Sequence, residues 1–216
     1  MTALYLYAIV SSRPRTTLGR GLARQPLAVV PAAGAHVIVE RAGVPAITAP
    51  NLRAHDRVVR RIARACSAVL PFRFGSVVAD RAALVSLLAP IAPSVGRALE
   101  LVEGCVQFTL RVYGRAAPAP KPSRGAGPGT RFMNARLRAR QVPEVAPVTA
   151  AVAPLVRATR VERHDREPLL ASVYHLVPRA EMRRYRAAVR AASRALDGVR
   201  VETTGPWPPY AFAETP

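Results

Sequence analysis

Residues 4–10 form an unbroken apolar run carrying two tyrosines, the pattern of a buried first strand, and residues 27–30 and 36–40 read as two more. Asn51 is placed to cap a helix. Beyond it Leu52, His55, Val58, Val59, Ile62 and Cys66 recur at helical spacing, while Arg53, Arg57, Arg60, Arg61 and Arg64 take the complementary face. One side of that helix suits a core and the other suits water or a partner. Residues 69–78 return to strand character, with Pro71 at the start and Phe72 and Phe74 on one face. Gly75 follows them, where it supplies backbone geometry barred to other residues. Asp80 caps a further helix through Leu88, a short helix spans 94–102, and a strand spans 106–113.

Proline and glycine then crowd residues 115–130, the one clear linker. It separates an N-terminal α+β domain, 1–114, from a C-terminal domain, 131–216. Pro143, Pro147 and Pro154 restrict the chain up to about residue 160 to short helical pieces. The last third reads as a strand over 169–177, a helix over 179–196 and a strand over 199–203. In that helix Met182, Tyr185, Val189, Ala192 and Leu196 make the apolar stripe, with Arg183, Arg184, Arg186, Arg190 and Arg194 mainly off it. Interspersed strands and helices define the α+β class.

The C-terminal stretch Gly205-Pro206-Trp207-Pro208-Pro209-Tyr210-Ala211-Phe212 is the densest local signal, since it holds the single tryptophan among three prolines. Proline fixes φ and removes a donor, so this segment is expected as an extended ribbon whose rings need a surface. An exposed ribbon of this composition would be a costly apolar patch. It is therefore expected to fold back over its own protein, with Trp207 and Tyr210 as partner anchors the alternative.

Formal charge is +19, and Lys121 is the sole lysine, so arginine supplies the field. Such a field attracts nucleic acid or an acidic protein surface. Aromatics are not interleaved with the arginines, and no RNP-like motif, zinc-finger spacing or helix-turn-helix is present, which favours a solvated or protein-binding face containing Arg57, Arg60, Arg61 and Arg64. An arginine-rich nucleic-acid-binding module is the alternative. Arg73, between two phenylalanines, either pairs with a carboxylate or reaches the surface. His55 falls on an apolar stripe, where a satisfied core histidine is the ordinary reading and a pH-sensitive or partner-contacting role the other.

No catalytic, cofactor or metal constellation is visible. The glycines of 125–129 lack a following Lys-Ser/Thr, and His36, His55, His164 and His175 have no ligand spacing. Cys66 and Cys105 lie far apart in apolar contexts and read as reduced, buried thiols, with a disulfide between them the alternative. The apolar stretch 84–95 is broken by Pro90 and Pro93, against a membrane span. A non-enzymatic cytoplasmic protein is expected.

The run Leu70-Pro71-Phe72-Arg73-Phe74-Gly75-Ser76-Val77 and the Gly-Pro-Trp-Pro-Pro-Tyr terminus (Gly205, Pro206, Trp207, Pro208, Pro209, Tyr210) together resemble the gas vesicle GvpL/GvpF family. Asn51, His55 and Asp56 fit its helix-start motif, residues 173–177 fit its tyrosine-bearing strand, and 129–133 resemble a further helix start. Asp56 stands for the usual glutamate, and Gln107 stands where glutamate is frequent. The resemblance implies two α+β domains, the second a variant ferredoxin-like fold. It also implies a gas vesicle accessory protein, a minor component or assembly factor, with the hydrophobic shell protein and other accessory proteins as partners.

Overall fold

The computed structural model describes residues 3–115, 142–164 and 167–213. The chain gathers into two compact units, Met1–Val106 with Trp207–Pro216, and Gln107–Pro206. The expected boundary at 114/115 is displaced, and the terminal ribbon from Trp207 onward belongs to the first unit rather than to the C-terminal one. The expected linker beyond Arg115 and the helix start at 129–133 lie outside the described residues.

In the first unit β1 (Leu4–Val10), β2 (Ala28–Ala32), β3 (Ala35–Arg41) and β4 (Val69–Pro71) form a sheet in the order β2-β3-β1-β4, with β5 (Val77–Val78) also on β1. Strand β1 pairs antiparallel with β3, β4 and β5, so its backbone is satisfied on both edges and its side chains are buried almost throughout. That is why its sequence shows no alternation. Residues 72–76 turn between β4 and β5, so the single strand expected over 69–78 is two short ones.

Helix α1 (Ala49–Ala65) begins one turn before the expected cap. Thr48 is the N-cap, its hydroxyl accepting from the Asn51 N–H at 3.4 Å, with Pro50 in the first turn where a missing N–H costs nothing. Asn51 instead donates its side-chain amide to the Ala46 carbonyl at 2.9 Å. His55, Val58, Val59 and Ile62 are the buried stripe, packed with Tyr5, Tyr7, Val10 and Ile38. Each fully buried aliphatic side chain there contributes roughly 1.5–3 kcal/mol.

Asp80 caps α2 (Arg81–Leu88), its carboxylate accepting from the Ala83 N–H at 2.8 Å. The segment Arg81–Val102 has the length and mean hydropathy, 1.5, of a membrane span. It is nonetheless interrupted by a 3-10 turn at Ala89–Ile91 before α3 (Ala92–Val102), and Leu84, Leu88, Val95, Leu99 and Val102 pack into the core.

Among the described residues the second unit runs β6 (Cys105–Gly114), α4 (Ala146–Val152), β7 (Ala158–Arg163), β8 (Leu169–Pro178), α5 (Met182–Ser193) and β9 (Val199–Trp207). This β-α-β-β-α-β order, with the sheet β7-β8-β6-β9, is the ferredoxin-like plan. Strand β7 replaces the last of the expected helical pieces. Its Thr159, Arg160 and Glu162 are exposed on an edge, which hides it from an apolar count. Strand β9 extends through Pro206 and Trp207, an edge position that tolerates a missing donor.

Candidate functional site

The residues carrying the early motifs meet around one buried histidine. His55 is 4% exposed, and the Tyr5 hydroxyl lies 2.8 Å from its Nδ1. Tyr7 stacks on its ring at 5.4 Å, and Phe74 meets it edge-on at 5.7 Å. The Gly75 N–H donates to the Tyr5 hydroxyl at 3.2 Å, so the turn after β4 is tied to β1 and α1 through one hydroxyl. Gly75 has φ +90°, in the region that favours glycine. Burial lowers the His55 pKa and raises that of Tyr5, since desolvation disfavours the charged form of each.

Beside this cluster Tyr7 donates to Glu40 at 2.6 Å and accepts from the Leu22 N–H at 2.7 Å. Glu40, fully buried, also accepts from the Gln25 N–H at 2.9 Å. A side chain at Gly21 would overlap the Glu40 carboxylate, so the 19–27 loop is fitted closely to this buried acid. Sequence reasoning missed Glu40. Its signal was the pair of tyrosines on an otherwise apolar strand, whose hydroxyls require partners.

The terminal ribbon closes over the same unit. The Arg60 guanidinium sits 4.2 Å from the centre of the Trp207 ring, and Arg60 Nε bonds Asp56 at 2.6 Å. Pro208, Pro209 and Phe212 are buried, and Tyr210 packs against the Tyr5–Ile62 core. Burial raises the Tyr210 pKa, with the Asp56 carboxylate acting the same way. The folded-back reading of the tail is the one adopted. Residues 210–212 form a 3-10 turn rather than a fully extended ribbon.

The nominated arginines therefore divide. Arg60 is committed to Asp56 and Trp207, and Arg61 bonds the Arg20 carbonyl at 2.5 Å. Arg57 and Arg64 are exposed. Arg73 is exposed too, the surface alternative, while Pro71 is buried in β4. Gly205, φ +123°, lies against the Gln107 carbonyl, where a side chain would collide. Also unanticipated are Val44 and Ile47, 70% and 84% exposed in the segment leading into α1, and Leu52, 43% exposed in its first turn.

The second unit holds its own buried histidine–tyrosine pair. His175 Nδ1 on β8 lies 2.8 Å from the Tyr185 hydroxyl on α5, and the Tyr185 ring stacks near Phe108. Gln107, the expected departure from an ion pair, donates to Thr109 at 3.2 Å. No group of metal-ligating side chains occurs among the described residues.

The chain thus has two α+β units, the second ferredoxin-like, and the first brings the tail and the early motifs together around one aromatic cluster. The family described as "Gas vesicle synthesis protein GvpL/GvpF" matches residues 3–214, and the chain belongs to it. The fold is similar to the crystal structure of gas vesicle protein GvpF from Anabaena sp. PCC7120, with TM-score 0.78 at 18% identity over 99% of this chain and 97% of that one. GvpF from Microcystis aeruginosa aligns with TM-score 0.77 at 16% identity, covering 99% of this chain and 100% of its own. No curated protein matches.

Proposed function

We propose that this protein is a non-enzymatic assembly factor that binds the hydrophobic gas vesicle shell protein and supports vesicle formation in the cytoplasm. The observation that carries this reading, beside family membership, is the exposure of Val44, Ile47 and Leu52 in the chain just ahead of and at the start of α1, which also carries the exposed Arg53 and Arg57. A subunit that polymerises through apolar faces must be kept from aggregating until it is added to the growing wall. Exposed aliphatic side chains cover such a face transiently, and neighbouring arginines orient an acidic rim.

Co-expression with the shell protein tests this. The wild-type chain raises the soluble fraction and co-purifies with it, whereas Val44→Asp/Ile47→Asp loses both effects while remaining folded. An unchanged soluble fraction with no complex overturns the reading.

A further inference from the structure

The end of α1 and the 12–16 loop line a cleft of about 700 Å³ in the first unit. Its charged lining is entirely cationic: Arg13 and Arg15 from the loop, Arg61 and Arg64 from the helix. Hydroxyls of Ser12, Thr16 and Ser67 complete it. Glu103 accepts from Ser67 at 3.5 Å at the rim. Arg13, Arg15 and Arg64 are exposed and make no ion pair among the described residues. Arg61 is different, because its Nε is buried without a hydrogen-bond partner there, while Nη2 holds the Arg20 carbonyl.

A guanidinium donor left unmatched in a buried position is costly. Four guanidiniums gathered in one concavity also repel one another, and the last-turn carbonyls of α1 offset only part of that. A dense anion with several oxygens relieves that repulsion: planar guanidinium forks match phosphate oxygens in pairs, and neighbouring hydroxyls donate to the remaining oxygens. Pro14, Ala65 and Cys66 supply the rest of the lining, so no aromatic face is offered to a base.

We infer that this cleft, built from Arg13, Arg15, Arg61 and Arg64 with Ser12, Thr16 and Ser67, binds a compact oligophosphate, either free or as the phosphate chain of a nucleotide. The phosphates are the recognised part. A long polyanion would instead spread over the whole basic surface.

Calorimetric titration of the full chain with sodium tripolyphosphate and with ATP, at about 150 mM salt, tests it. Saturable binding of one equivalent is expected. Arg15→Gln and Arg64→Gln, on exposed positions that leave the fold intact, each weaken it about tenfold. Arg183→Gln and Arg190→Gln, which remove the same charge elsewhere, change it less than about twofold. Equal affinity for the two ligands identifies a free oligophosphate source, and markedly tighter ATP binding identifies a nucleotide. Absence of saturable binding, equal losses from cleft and distant variants, or binding of polyglutamate alone would overturn the inference.

Discussion

His175 is fully buried on β8, with Nδ1 against the Tyr185 hydroxyl and Nε2 lacking a partner among the described residues. Desolvation pushes its pKa down to about 4 from 6.5, so the ring stays neutral in the folded chain across the range where an unfolded chain would take up a proton. Because the folded pKa is the lower one, the unfolded state binds more protons between those values, and stability falls as pH drops through that window. The loss amounts to roughly 3 kcal/mol by pH 4 and is absent above about pH 7. His55 acts in the same direction in the first unit, its pKa also lowered by burial. Urea unfolding followed by circular dichroism at about pH 7 and about pH 4.5 should show the wild-type midpoint moving down strongly and the His175→Gln midpoint moving less. Equal shifts would mean that carboxylates, not this ring, set the acid limit.

At the scale of elements, the structure separates what a one-dimensional pattern can carry from what it cannot. Strand β1, the stripe of α1 and the Asp80 cap were legible because each rests on local rules: a doubly paired strand needs no polar face, a helix on a sheet needs one apolar stripe, and a short acid caps. The cap of α1 was misplaced from Thr48 to Asn51 because both side chains are competent caps, and Pro50 between them decides the matter. The turn at 72–76 was read through as strand because Phe72 and Phe74 alternate. Only the sharing of β1 between β4 and β5 forces the chain to turn there. Gly75 makes that turn: nothing lies within 4 Å of a side chain placed on it, so its requirement is conformational alone. Gly75→Ala should therefore cost about 1–2 kcal/mol through the backbone. The same substitution at Gly34, φ +74° and equally unobstructed, provides a measure of strain without the Tyr5 contact. Equal losses for the two variants in chemical denaturation are the expected result, and a loss at Gly75 well above that at Gly34 would show that the turn also strains the Tyr5 contact.

For the whole molecule, the sequence placed the closing aromatic ribbon with the domain it follows in the chain, and only the three-dimensional contacts return it to the first unit. No local pattern encodes that choice. It is made by Arg60, whose guanidinium covers Trp207, and by the core that receives Tyr210 and Phe212. The buried Glu40 and the arginine cleft were equally hidden, since each assembles residues far apart in sequence whose individual types are ordinary. The ribbon offers a direct test of how the chain is partitioned. Ending the chain after Pro206 leaves the fold order of the second unit untouched but uncovers the aromatic cluster around His55, including the buried Phe212 site, at a cost of about 3–5 kcal/mol for Phe212 alone. Hydrogen exchange should then accelerate in β1 and α1 and remain at its wild-type rate in β7 and β8. Trp207→Ala, which removes the cation–π contact with Arg60 and leaves Tyr210 and Phe212 to hold the tail, should produce a smaller change in the same elements, about 1 kcal/mol. Acceleration confined to the second unit would place the tail's energetic contribution on the wrong body, and the partition at Pro206/Trp207 would have to be abandoned.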